Sequence, residues 1–169
     1  MARKKIEMIL EIHKACTEPL YAVLDGIKEK ELNWKPAPES RCINEIMEHL
    51  IRVDNKFLTR LGQAPKIDAP EKGSASETLT ALKNVHKQLH SLVESLSDDN
   101  LLFKKSHAKD AADRDTVNEH VLHSCQHNLY HLSQVIYLRR ALDRSWESPI
   151  MAWDKATRII ANYLSPKPN

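Results

Sequence analysis

Three histidines recur at four-residue intervals in the segment HSCQHNLYHLSQ: His123, His127 and His131. Four residues are slightly more than one turn of an α-helix, so neighbouring members of this series lie on one helical face. Two imidazoles at this spacing have Cβ atoms about 6 Å apart and can bind one metal ion through two nitrogens. The segment therefore suggests a metal site, and the helical register decides which pair contributes to it.

The register favours the second and third histidines. On a helical wheel that advances about 100° per residue, His131 lies between His127 and Val135, and Leu138 shares their sector. His123 falls further round, at the margin of this apolar sector and toward the polar side. We therefore expect His127 and His131 to point into the protein interior and His123 to lie at its edge.

A stable site needs a third ligand, which should come from another helix. His49 is the best-placed candidate, at the edge of an apolar sector formed by Ile46, Leu50 and Val53. Three neutral imidazoles leave one coordination position for water, as catalytic metal sites require. A divalent ion held in this way would lower the pKa of a bound water or thiol and produce a nucleophile near neutral pH.

Other residues with the same chemistry have simpler interpretations. His86 and His90 repeat the four-residue spacing, and we interpret them as packing at the edge of the surface rather than as ligands. Asp54 lies in an apolar sector and is either a buried hydrogen-bonding anchor, which is favoured, or an acceptor that orients a ligand histidine. The remaining histidines have no partner that the sequence identifies and are given no role: His13, His107 and His120.

Two residues are weaker candidates for contact with a substrate. Arg60 lies beside the helical sector of His49 and is placed to meet an anionic group. The segment KEKELNWKPAPESRC is expected to form an ordered loop, and its Trp34 is either a lid over the core, which is favoured, or a platform for a substrate.

Apolar residues recur at helical spacing almost throughout the chain, so we predict an all-α fold. Pro19 should kink or break the first predicted helix. Cys42 precedes the second helix where a capping box would place serine or threonine, with Glu45 three residues later. The pattern predicts a four-helix bundle with an additional short C-terminal helix, as one domain over residues 1–164 with a flexible tail over 165–169. The predicted helices cover residues 4–29, 43–62, 74 or 76 to 96, 116–142 and 149–164, and residues 97–115 are expected to be irregular.

The amino-acid composition argues against a nucleic-acid-binding protein and against a membrane protein. The 169 residues are 41% apolar and 28% charged, with a net charge of +2 and basic residues that form no stripe, so we expect no nucleic-acid partner. No apolar run approaches the length of about 20 residues that spans a bilayer, and we expect no membrane partner. An odd number of widely spaced cysteines, Cys16, Cys42 and Cys125, favours reduced thiols and a cytoplasmic location.

Two segments resemble the DinB-like metal-binding bundles. LNWKPAPESRCINEIMEHL is similar to the start of that family's pattern, in which a Trp-x-Pro loop leads into a helix that carries a histidine. HNLYHLSQVIYLRR is similar to its second hallmark, H-x-x-x-H-x-G-Q-[IV] followed by a Leu-Arg step. Two departures stand out: Ser133 replaces the usual glycine, and Cys42 replaces the usual serine or threonine. Neither touches the expected ligands.

The resemblance implies a metal on His49, His127 and His131, the same trio that the helical wheel selects. It also implies a bundle with unusual connectivity, a homodimer, and one divalent transition metal, with nickel or zinc favoured. Members of the family include thiol-dependent S-transferases, thiol-dependent isomerases and metal-dependent hydrolases.

Three functions follow as hypotheses. The first is a metal-dependent enzyme, a thiol S-transferase or hydrolase acting on a small molecule, with a low-molecular-weight thiol as a possible partner. The second is a non-catalytic, metal-stabilised dimeric bundle with a stress-related or metal-sensing role. The third, a di-iron bundle, ranks low because ferritin-like sites use Glu-x-x-His on two helices and the chain has no such spacing.

Overall fold

A computed structural model describes residues 3–64, 67–70, 74–105, 116–150 and 154–165. These residues form six α-helices: α1 (Lys4–Leu24), α2 (Glu29–Leu32), α3 (Ile43–Arg60), α4 (Ala75–Glu94), α5 (Val117–Leu142) and α6 (Lys155–Leu164). A short 3-10 helix, Asp99–Phe103, lies between α4 and α5. The predicted all-α fold is confirmed. None of the helices in the described part of the chain has the length and hydropathy needed to cross a membrane.

The four long helices pack in a ring. Helix α1 contacts α5 and α4, and α3 also contacts α4 and α5, so α1 and α3 lie diagonally opposite each other. Helices that follow one another in the chain are therefore not always neighbours in space. Helix α6 packs on the outside against α1. The core fills the ring with side chains from every long helix, such as Ile9, Leu50, Leu89 and Val135.

Local sequence explains where the helices begin. Ser74 caps α4 by accepting a hydrogen bond from the backbone N–H of Glu77, whose carboxylate accepts one from the Ser74 N–H in return. Thr116 caps α5 through its hydroxyl oxygen in the same way. At α3 the carboxylate of Glu45 accepts a hydrogen bond from the Cys42 N–H at 2.9 Å. Each of these caps satisfies at least one backbone donor that the first turn leaves without a partner.

Several predicted boundaries were wrong. The first helix ends at Leu24 rather than near residue 29, because Gly26 has a φ of +64°. The chain then forms α2 inside the segment that was predicted to be a loop. The helix continues through Pro19 without a break. The last helix begins at Lys155 and not at residue 149.

Other predictions fall partly outside the described residues. The segment 97–115, expected to be irregular, contains the short 3-10 helix, and its residues 106–115, with His107, lie outside. Residues 166–169 of the predicted tail also lie outside.

Candidate metal centre

Three histidine side chains from two helices converge on one point. His49 lies on α3, and His127 and His131 lie one turn apart on α5. The Nε2 atom of His127 is 3.1 Å from the Nε2 atom of His49 and 3.0 Å from the Nε2 atom of His131. Ligand atoms of the three side chains all lie within 4.8 Å of one another. The trio expected from the sequence is thus brought together, and it can hold a metal ion.

Two of the three nitrogen spacings fit a single divalent ion, and the third pair, His49 and His131, lies within 4.8 Å. Two nitrogens bound at 2.0–2.1 Å are about 3.3–3.4 Å apart at a tetrahedral angle and about 2.8–3.0 Å apart at a right angle. The contacts of 3.0 and 3.1 Å fall within this span. The chemistry of the donors also fits. His127 Nε2 carries either one proton or one lone pair, so it can make only one of its two contacts as a hydrogen bond. A shared cation would satisfy all three lone pairs at once.

The environment keeps these imidazoles neutral, as ligation requires. Burial is the main cause of a lowered pKa at all three, and at His127 it acts with the neighbouring imidazoles to bring the pKa to about 4. Burial, His131 and Arg41 lower the pKa of His49. Burial and Arg41 lower the pKa of His131, against the opposing effect of its hydrogen bond to the side-chain oxygen of Gln134.

One ligand has a clear orienting partner. The Oε1 atom of Gln134 lies 2.7 Å from Nδ1 of His131. A carbonyl oxygen at this position favours the tautomer with the proton on Nδ1, which turns the lone pair of Nε2 toward the other two histidines. Nδ1 of His127 is buried and has no hydrogen-bonding partner among the described residues.

His123, one turn before His127 on α5, lies outside the cluster of three histidines, as the helical register predicted. His123 is exposed, and its ring packs 5.0 Å from the ring of Phe57 and 6.1 Å from that of His127.

The two predicted substrate contacts lie away from the cluster. Arg60 is the last residue of α3, eleven residues beyond His49, which corresponds to about 16 Å along a helix. Trp34 is half-buried against the core and lines a small cavity with Leu142 at the far end of α5. Neither residue lines the cavity that reaches His131.

That cavity has a volume of about 630 Å³, within the usual range of small-molecule sites. Its lining was not found from the sequence, because three of its ten residues come from an irregular segment with no periodic pattern. The lining residues are Pro36, Ser40, Arg41, Ile46, Tyr130, His131, Ser133, Gln134, Tyr137 and Leu138. Two of them, Tyr130 and Tyr137, stand two turns apart on α5 and are 60% and 65% exposed.

A separate polar cluster occupies the core. Asp54 is 1% exposed, and its Oδ2 atom lies 3.1 Å from Nε2 of His86 and accepts a hydrogen bond of 3.1 Å from the Ser124 hydroxyl. The Tyr21 hydroxyl lies 2.6 Å from Nδ1 of His86. Burial raises the pKa of Tyr21, so the phenol keeps its proton and donates it to Nδ1, which places the ring proton on Nε2, facing Asp54.

This cluster shows that the interpretation of His86 was wrong and confirms the favoured interpretation of Asp54. His86 does not pack at the surface edge: it is 2% exposed and anchored from both sides. Asp54 is the buried hydrogen-bonding anchor that the sequence favoured. Two of the histidines that were given no role from the sequence are also buried: the ring of His13 packs 5.8 Å from that of His86, and the ring of His120 packs 4.7 Å from that of Phe57.

Fold and site together define a helical bundle with a three-histidine cluster at the edge of a solvent-facing cavity. Residues 13–135, more than half of the chain, match the family model described as the DinB superfamily. The protein belongs to this superfamily, as the resemblance implied. No curated protein and no solved structure matches the chain.

Proposed function

We propose that the protein is a divalent-metal-dependent enzyme that acts on a small molecule. The observation that carries this proposal is the convergence of three neutral imidazoles beside a cavity of about 630 Å³. A divalent ion in such a site supplies Lewis acidity and lowers the pKa of a bound water or thiol. Nickel and zinc are the favoured ions because imidazole nitrogen suits both.

The lining of the cavity favours thiol transfer over hydrolysis. Among the described residues that line it, none is an aspartate or glutamate. The nearest carboxylates on α3 are engaged elsewhere: Glu45 pairs with Lys35, and Glu48 pairs with Arg52 and Asn44. A water molecule loses its proton far less readily than a thiol, whose ordinary pKa is about 8.5. A site without a carboxylate base therefore suits a thiol nucleophile best.

In this reaction the thiol sulfur forms a bond to an electrophilic carbon of the substrate. The bond from that carbon to its leaving group breaks, the leaving group departs with the electron pair, and the thiol proton passes to solvent. The protein's part is to bind both reactants, to hold His131 in its ligating tautomer through Gln134, and to exclude bulk water from one side of the site.

The test is turnover by the metal-loaded protein. Zinc- and nickel-loaded samples are incubated with a panel of alkyl halides, epoxides and esters, with and without a low-molecular-weight thiol. We expect thiol-dependent loss of an electrophile that His127→Ala abolishes and His123→Ala retains. Hydrolysis of an ester without thiol would favour the hydrolase instead.

The alternative is a non-catalytic bundle that a metal stabilises as a dimer, in a stress-related or metal-sensing role. The exposed rings of Tyr130 and Tyr137 favour it, because a second copy packed on this face would cover the cavity. Sedimentation of the loaded protein and melting with and without chelator test it. A dimer that loses its stability on chelation and turns over no electrophile would support this alternative against the enzyme.

A further inference from the structure

Arg41 stands at the mouth of the cavity, where no acidic residue among those described pairs with it. It lies in the irregular segment just before α3, is exposed, and lines the cavity together with His131. Within the described ranges no carboxylate pairs with its guanidinium. Its positive charge acts on His49 and His131, whose pKa values it lowers. Arg41 is therefore electrostatically coupled to the metal centre while its own donors remain available.

The local charge is unbalanced. A divalent ion on three neutral imidazoles keeps its full double charge, and Arg41 adds a further positive charge beside it. The described lining of the cavity contains no acidic residue to offset this sum. Charges of one sign held close together at the protein surface repel each other, so an anion that enters the cavity is attracted by both.

The walls of the cavity determine what kind of anion fits. Tyr137 on α5 presents an aromatic ring that is 65% exposed, and the mostly buried side chains of Leu138 and Ile46 complete the apolar part of the lining. The guanidinium of Arg41 offers a planar fork that matches a carboxylate or a phosphate. The hydroxyl of Ser40 adds a further polar contact at the same end.

From these placements we infer that the cavity binds a small organic anion with its acidic group on Arg41 and its apolar body against Tyr137 and Leu138. The reacting end of the molecule then faces the three histidines. This inference rests on the proposed function for its reaction, but the anion site itself consists of residues outside the metal ligands.

The test compares a charged thiol with a neutral thiol of the same shape. Cobalt-loaded protein is titrated with 3-mercaptopropionate and with 3-mercaptopropionamide, and the thiolate-to-cobalt absorption gives each Kd. We expect the carboxylate to bind about tenfold more tightly, the effect of one hydrogen-bonded charge pair. In Arg41→Gln the two thiols should bind equally.

Arg52→Gln is the matched control. Arg52 is also an exposed arginine near His49, and its charge also lowers the pKa of that histidine, but it does not line the cavity. This variant should keep the preference for the carboxylate. A preference that survives in Arg41→Gln, or that is absent from the unsubstituted protein, would overturn the inference.

Two further measurements separate this inference from the proposed function. Cobalt content is measured in every sample, because a protein that takes up no cobalt refutes the metal centre and not the anion site. The chelator-treated protein is then titrated calorimetrically with 3-phenylpropionate and 3-phenylpropionamide. An Arg41-dependent preference for the carboxylate in that sample supports the anion site by itself, and equal binding of the two compounds refutes it.

Discussion

Removing the carboxylate of Asp54 tests the interpretation of the buried polar cluster. This side chain is 1% exposed and lies 3.1 Å from each of two groups that are themselves buried, the ring of His86 and the hydroxyl of Ser124. In Asp54→Ala the Ser124 hydroxyl loses its acceptor and the His86 ring loses the carboxylate beside it, in a place that water does not reach. The His86 ring proton then faces an apolar gap.

The magnitude follows from the burial of all three groups. A buried polar group left without its partner lowers the free energy of unfolding by about 1–3 kcal/mol, and Asp54→Ala leaves two such groups, so the loss should be about 2–6 kcal/mol. For a chain of this length, 1 kcal/mol corresponds to about 2–4 °C in Tm, so Asp54→Ala should melt about 4–24 °C lower. Asp54→Asn keeps the shape and one acceptor oxygen, and should lose only about 1–2 kcal/mol.

The assay is urea unfolding followed by circular dichroism, with Glu18→Gln as the control. Glu18 also makes ion pairs, at 3.5 and 3.6 Å, but it is 45% exposed and its substitution should change stability by less than about 1 kcal/mol. If Asp54→Ala unfolds at the same urea concentration as the control, the cluster does not stabilise the core and the reasoning from burial is refuted. Metal content should stay unchanged in both Asp54 variants, because Asp54 is not among the ligands.

Three other substitutions have defined outcomes. Burial, and to a smaller extent the neighbouring His86, lowers the pKa of His13 from 6.5 to about 3. Below pH 6.5 the unfolded chain therefore takes up a proton that the native chain does not. The free energy of unfolding therefore falls as the pH falls. Between pH 7 and pH 5, measured by urea unfolding, His13→Leu should lose about 2 kcal/mol less of it than the unsubstituted protein. Equal losses in the two proteins would contradict this. Arg139 is 8% exposed and donates a hydrogen bond of 2.7 Å to a backbone carbonyl at the end of α1. Arg139→Lys should lower the free energy of unfolding by about 1–3 kcal/mol, because an ammonium group lacks the planar fork of a guanidinium. An unchanged urea midpoint would contradict this role of Arg139. Glu45→Ala leaves the Cys42 N–H without its acceptor and should lower the free energy of unfolding by about 1 kcal/mol. A variant more stable than the unsubstituted protein would show that this cap does not stabilise α3.

The sequence predicted those parts of the fold that depend on local signals. The predicted starts of α4 and α5 agree with the structure, in which Ser74 with Glu77 and Thr116 with Glu119 form caps that need only four consecutive residues. The end of the first helix was missed because Ile27 continues the apolar spacing beyond the left-handed Gly26.

In the candidate site, too, the sequence predicted the residues whose placement depends on one helix and missed those whose placement depends on several elements. His127 and His131 share one helix, so their common face can be read from the spacing alone. His86 was misplaced because its partners, Asp54 and Tyr21, come from two other helices, and a wheel drawn for one helix does not contain them. Arg41 was missed for a similar reason: its position beside the histidines follows from the path of an irregular segment, which periodicity does not describe.

The metal content of three purified samples tests the central claim most directly. The unsubstituted protein, His127→Ala and His123→Ala are loaded with zinc or nickel, freed of excess metal by gel filtration and measured by elemental analysis. The convergence of the three Nε2 atoms predicts about one tightly held ion per chain in the unsubstituted protein and in His123→Ala, and almost none in His127→Ala. Full occupancy in His127→Ala, or no bound metal in the unsubstituted protein, would contradict the account.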